Sequence, residues 1–154
     1  MSVVRRAILA ALASLAAPAL AAADPAQVLE QFGFFGRWSQ HCEREPARDN
    51  VLRTSWVADG VARFHERNDE EYAGNLYVVL DAARIADDRV SIRIKLNGEL
   101  TEDLVMVRDH DRIRTMSNRM AAAGPDRANA GRILVKDGMV TGSRTATPWL
   151  TRCE

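Results

Sequence analysis

The segment His65-Glu66-Arg67-Asn68-Asp69 is the closest approach in this chain to a motif that carries chemistry, because it begins like the zinc-binding motif H-E-x-x-H. That motif needs two histidine ligands one helical turn apart. Here Asp69 takes the place of the second histidine, and the segment follows a strand pattern. His41 and His110 fall in other elements. We therefore predict that this segment binds no metal.

Other signatures of catalysis or of a resident cofactor are missing from the sequence. It contains no G-x-S-x-G nucleophile motif and no glycine-rich loop for phosphate. Four methionines lack the tight spacing of a copper site, and we assign them to packing: they are Met106, Met116, Met120 and Met139. We predict no catalytic residue, no metal and no cofactor.

The two cysteines, Cys42 and Cys153, are the only thiols and lie 111 positions apart. In an oxidising compartment two such thiols most simply form one disulfide. In the chain-entropy model, closing a loop of this length stabilises a fold by up to ~4–5 kcal/mol. The alternative, a reactive or metal-binding thiol, is disfavoured because no C-x-x-C spacing exists.

The first 23 residues have the layout of a bacterial signal peptide. Arginines at positions 5 and 6 precede an apolar run that ends at Pro18, and Ala21 and Ala23 supply small residues for a cut before Asp24. The alternative is a membrane anchor, but an alanine-rich run of this length is marginal for crossing ~30 Å of hydrocarbon. We expect a periplasmic or secreted protein that does not insert into the membrane after cleavage.

Residues 24–154 are the length of one domain with one core. The predicted signal peptide contains two arginines and no acid, so 19 basic and 21 acidic residues would remain. Such a balance shows neither the basic excess of a nucleic-acid-binding protein nor a polybasic membrane patch. We expect a soluble monomer that binds no nucleic acid.

Apolar and polar residues alternate with period two along most of this domain. The pattern is clearest at 89–96, where Val90, Ile92, Ile94 and Leu96 alternate with polar residues. Seven further stretches share it, at 36–42, 51–58, 61–67, 75–85, 100–108, 111–116 and 132–136. The pattern predicts an all-β fold, an antiparallel up-and-down barrel of about eight strands.

Short turns and one short helix complete the predicted barrel. Asp59-Gly60 and Asn97-Gly98 are strong hairpin signals. Asp24 is suited to cap a helix that starts at Pro25 and runs to Phe32.

Positions 116–131 are predicted as a longer loop. Pro148 lacks an N–H, so the C-terminal stretch is predicted as an edge segment or a tail laid over the barrel.

The arrangement Phe35-Gly36-Arg37-Trp38, after a short helix and before seven strand patterns, resembles the G-x-W signature of lipocalins and the wider calycin superfamily. The resemblance implies an eight-stranded barrel in which Gly36 and Trp38 close one end. It also implies that an arginine from late in the chain packs over Trp38, and Arg144 and Arg152 are the candidates.

A calycin-like barrel would direct one apolar set inward, either to fill the interior or to line a ligand cavity: Trp56, Phe64, Leu76, Val78, Leu80, Ile92, Ile94, Leu104 and Met106. We expect an exported binding protein without catalytic machinery that takes a small apolar ligand in the barrel or at its mouth. The alternative is a periplasmic protein-interaction or inhibitor protein that acts through the loops at 69–72 and 116–131.

Overall fold

The computed structural model describes residues 23–69, 74–121 and 130–154. Residues 1–22 of the predicted signal peptide, and residues 70–72 and 122–129 of the two predicted contact loops, lie outside these ranges. Residues 116–120, which the sequence predicts as part of a loop, are in a strand. The described residues form helix α1 (Pro25–Phe32) and ten strands: β1 (Gly36–Ser39), β2 (Leu52–Ala58), β3 (Val61–Arg67), β4 (Asn75–Ala86), β5 (Arg89–Leu96), β6 (Leu100–Asp109), β7 (Arg112–Met120), β8 (Ile133–Lys136), β9 (Met139–Val140) and β10 (Leu150–Cys153). The predicted all-β barrel with one short helix is confirmed.

Eight strands close the barrel. Strands β1 to β7 pair antiparallel in chain order, and β10 lies between β7 and β1. Thr151 of β10 is paired with Arg112 of β7 on one side and with Ser39 of β1 on the other. The hairpin β8–β9 pairs with the last residues of β7 and stands outside this ring.

The closing strand corrects the sequence prediction for the C-terminus. The sequence predicts residues 132–136 in the barrel and the last residues as an edge segment or a tail. Instead β10 has a neighbour on both sides. Pro148 does not prevent this, because it precedes Leu150, the first paired residue, and need not donate a ladder hydrogen bond.

Helix α1 begins and ends where the sequence predicts. The side chain of Asp24 accepts a hydrogen bond from the Ala26 amide at 3.1 Å, and Gly33 ends the helix with a φ of 76°. Val28, Leu29 and Phe32 are buried and join the barrel core. The helix packs mainly against β3 and β4.

Tight turns explain why neighbouring strands pair. Both residues of Asp59-Gly60, Asn97-Gly98 and Asp137-Gly138 have positive φ. That backbone matches the right-handed twist of the flanking strands and is strained for most side chains. The hairpins β2–β3, β5–β6 and β8–β9 follow from these pairs.

Trp38 is fully buried near the helix end of the barrel. Its Nε1 donates to the Phe34 carbonyl at 2.8 Å, and the guanidinium carbon of Arg152 lies 5.7 Å from its ring centroid. Arg144, the other candidate, instead occupies the turn after β9 with a φ of 57°. Arg152 is the partner because its strand pairs directly with β1, where it opposes Trp38.

Gly36 has a φ of 126°, which side chains rarely tolerate.

The predicted disulfide between Cys42 and Cys153 is confirmed, with Cα atoms 5.5 Å apart. It joins the segment after β1 to the last residue of β10 and so fastens the closing seam. A disulfide fits an exported protein, because it persists in oxidising compartments. Within the described ranges, no helix is long and apolar enough to cross a membrane.

Candidate functional site

A partly open cavity of about 180 Å³ is lined by residues of β2, β3, β4, β6, β7, β8 and β10 and of the segments beside them. Its walls are partly apolar, from Val51, Phe64, Leu104, Ile113, Val135, Pro148 and Leu150, and partly polar, from Arg53, Glu66, Tyr77, Glu102, Arg114, Thr115, Asn118 and Thr147. Apolar walls with a few convergent polar groups are typical of small-molecule sites.

The central polar contact is an ion pair between Arg53 and Glu66, which face each other on β2 and β3. Arg53 is 6% exposed, and its Nε donates to Oε1 of Glu66 at 2.7 Å. Its guanidinium also lies 5.1 Å from the Phe64 ring centroid. A buried guanidinium needs such a partner, because an isolated charge inside a protein is costly.

Tyr77 extends this cluster from β4. Its ring stacks on Phe64, with centroids 4.4 Å apart, and its hydroxyl lies 3.4 Å from Oε2 of Glu66. Burial raises the pKa of Tyr77, and the charges of Glu66 and Glu102 raise it further. The phenol is therefore a hydrogen-bond donor rather than a base.

Glu102 and Asn118 form the opposite polar wall, on β6 and β7. Glu102 is 5% exposed, and its Oε2 accepts a hydrogen bond from Nδ2 of Asn118 at 2.8 Å. Burial raises the pKa of Glu102, the hydrogen bond from Asn118 opposes that rise, and the charge of Glu66 adds to it. Oδ1 of Asn118 is buried and has no hydrogen-bond partner in the described part of the chain.

The structure separates the predicted lining residues into three groups. Phe64 and Leu104 line the cavity. Ile92, Ile94 and Met106 are buried in the core. The inward prediction is wrong for the third group, Trp56, Leu76, Val78 and Leu80, which lie on the outer phase of β2 and β4.

The inward prediction fails for a different physical reason in β2 and in β4. In β2 the inward positions are Arg53 and Ser55, which are polar. Trp56 therefore lies at an outward position, although the apolar pattern predicts it inward. In β4 the apolar residues occupy both faces, and a bulge after Val79 shifts the alternation. Leu80 is 47% exposed because it follows the buried Val79 in ordinary alternation, and the bulge changes the phase only of the residues after it.

Five residues of the polar wall are not among those predicted from the sequence: Arg53, Glu66, Tyr77, Glu102 and Asn118. A signal for two of them exists. Glu102 is in phase with Leu104 and Met106, and Glu66 is in phase with Phe64, so each is a charge at an inward position. Glu66 belongs to the rejected H-E-x-x-H-like segment. Among the residues described, no group of three or more metal-ligating side chains converges.

Comparisons with known proteins give no relative for this chain. No model of a protein family matches it, no curated protein matches it, and no solved structure matches it. The function is therefore inferred from the cavity and its surroundings.

Proposed function

We propose that this protein is an exported, calycin-like binding protein that holds a small molecule inside its barrel and catalyses no reaction. The observation that carries the proposal is the partly open cavity, in which buried polar groups converge between apolar walls. The closed eight-stranded barrel and the position of Trp38 at its helix end support the calycin likeness.

The size of the cavity limits the ligand. A cavity of about 150 Å³ lined by apolar side chains accommodates benzene, and this one measures about 180 Å³. A single ring or a short chain with one polar group fits within this volume. The apolar part would contact Phe64, Leu104 and Ile113, and the polar part would meet the cluster around Arg53 and Glu102.

A cavity-filling variant tests this proposal. Val135 is 8% exposed and lines the cavity, whereas Ile133 on the same strand is 47% exposed. Val135→Phe should abolish binding of a ring-sized probe such as toluene, measured by calorimetry on the oxidised protein. Ile133→Phe is the matched control and should bind as the parent does. Failure of the parent to bind any ring-sized probe would refute the proposal.

A protein-interaction role is the second candidate, favoured by exposed apolar residues on β4. Leu76, Leu80 and Ile85 are 40%, 47% and 55% exposed on this one strand. If β4 contacts a periplasmic partner, cross-linking in envelope extract should yield one defined complex. Leu80→Asp should then abolish that complex and leave probe binding in the cavity unchanged.

A further inference from the structure

We infer that the cavity selects a small organic cation, such as a primary amine carried by one ring or a short apolar chain, with Glu102 as its charge partner. This inference rests on the proposed function, because it names the ligand class of the same cavity. Three independent features of the lining support it: its charge balance, its hydrogen-bond inventory and its volume.

The charge balance leaves one carboxylate of the cavity without a cation. Arg53 is paired with Glu66. The other lining cation, Arg114, donates to Oγ1 of Thr147 at 3.0 Å and to the Gly138 carbonyl at 2.7 Å. Glu102 contacts only the neutral amide of Asn118 among the described residues. Glu102 and Arg114 thus both lack an ion-pair partner among the described residues, and a bound cation beside Glu102 would supply the partner of the carboxylate.

The hydrogen bonds of the lining also favour a cationic ligand, because the groups without a hydrogen-bond partner are acceptors. Oδ1 of Asn118 is buried without a donor, and Glu102 accepts at Oε2 alone within the described ranges. Oε2 of Glu66 has only the 3.4 Å contact with the Tyr77 hydroxyl. Nε of Arg53 and Nδ2 of Asn118 are already engaged. A ligand that donates hydrogen bonds would satisfy these acceptors, and an ammonium brings three donors.

The volume and the walls limit what can carry that ammonium. About 180 Å³ holds a ring with a short substituent, and Phe64, Leu104 and Val135 provide apolar contact for it. A carboxylate ligand beside Glu102 would meet a like charge, and Arg114 is the lining cation with which it could pair instead. A neutral hydrocarbon would leave the buried acceptors unsatisfied, which costs binding free energy.

Four probes of nearly equal size separate these alternatives: benzylamine, benzyl alcohol, toluene and benzoate. We expect calorimetry at neutral pH to show benzylamine binding about tenfold or more tightly than the other three. Glu102→Gln keeps the shape and removes the charge. It should weaken benzylamine about tenfold or more and leave toluene unchanged, which also shows that the variant is folded.

Glu99→Gln is the matched control, because Glu99 is exposed in the turn that leads into the same strand. It should leave all four affinities unchanged. The inference is overturned if toluene, benzyl alcohol or benzoate binds as tightly as benzylamine, or if Glu102→Gln binds benzylamine like the parent. In those cases the proposed function stands, because a probe still binds. If none of the four binds, both the inference and the proposed function fail.

Discussion

Nε of Arg53 lies 2.7 Å from Oε1 of Glu66 inside the barrel, at positions that oppose each other directly on β2 and β3. The pairing explains how an arginine that is 6% exposed is tolerated in a core strand. It also sets the inward phase of β2, because Arg53 and Ser55 then point inward and Trp56 lies on the outer face.

Removal of one partner of this pair should destabilise the fold. Glu66→Leu leaves the Arg53 guanidinium buried without an anion, and we expect the free energy of unfolding to fall by about 3 kcal/mol. The double variant Arg53→Met with Glu66→Leu should recover most of that loss, because no buried charge remains. Urea unfolding of the three proteins measures both values. A double variant no more stable than Glu66→Leu would contradict the explanation.

Local signals made most of the fold predictable from sequence. Asp24 and Pro25 mark the start of α1, and Asp59-Gly60 and Asn97-Gly98 mark hairpins, because each acts within a few residues. The disulfide followed from the presence of only two cysteines. Such features need no knowledge of distant contacts.

The candidate site was less predictable, because it depends on register. Glu66 follows Arg53 by 13 residues, and Asn118 follows Glu102 by 16, so only strand pairing brings each pair together. The inward phase of β4 was also hidden, since its apolar residues occupy both faces. The available signals were the in-phase positions of Glu102 beside Leu104 and of Glu66 beside Phe64.

Glu102 should make stability depend on pH in a specific direction. Its pKa is raised in the folded state, so the folded protein holds the proton more tightly than the unfolded chain does. That contribution to stability is complete below the ordinary glutamate pKa of about 4.3 and is lost as pH rises through the raised value. Glu102→Gln should therefore become more stable relative to the parent as the pH rises.

The measurement is urea unfolding of Glu102→Gln and the parent at mildly acidic and mildly alkaline pH. The groups that face Glu102 are Arg53, Glu66, Tyr77 and Arg114, and they are present in both proteins, so the difference isolates Glu102. Glu99→Gln is the control and should parallel the parent. A difference in stability that stays constant with pH would show that Glu102 titrates normally.

Arg152 should contribute measurably to the closed end of the barrel. Its guanidinium lies over Trp38 and donates to the Phe35 carbonyl at 3.2 Å. Arg152→Ala should lower the free energy of unfolding by about 1 kcal/mol, from the lost cation–π contact and hydrogen bond. Arg144→Ala is the control and should change it by less than about 0.5 kcal/mol. Equal losses of unfolding free energy in the two variants would contradict the assignment of Arg152 as the arginine that stabilises the end of the barrel at Trp38.

The disulfide should stabilise the fold strongly, because it spans 111 residues. The double variant Cys42→Ser with Cys153→Ser should lose roughly 2–5 kcal/mol of unfolding free energy. Urea unfolding of this variant and of the oxidised parent gives the difference. Reduction of the parent with dithiothreitol should reproduce the loss, and a reduced parent as stable as the oxidised one would refute the prediction.

Asn50 is fully buried and holds the loop that carries Cys42. Its Oδ1 accepts hydrogen bonds from Oγ of Ser39 and from the His41 amide, each at 2.9 Å. Its Nδ2 donates to three carbonyls at 3.0–3.1 Å, those of His41, Arg44 and Glu45. One side chain thus fixes the backbone on both sides of Cys42.

Asn50→Leu should therefore weaken both the loop and the disulfide. The variant leaves buried backbone groups without partners, and we expect the free energy of unfolding to fall by roughly 3 kcal/mol. Because the loop no longer holds Cys42 beside Cys153, the disulfide should be reduced at a lower dithiothreitol concentration, read by mass spectrometry after thiol labelling. Leu52→Ala, at a half-buried position at the start of β2, is the control for destabilisation alone. Equal dithiothreitol midpoints for Asn50→Leu and this control would show that Asn50 supports the fold without positioning Cys42.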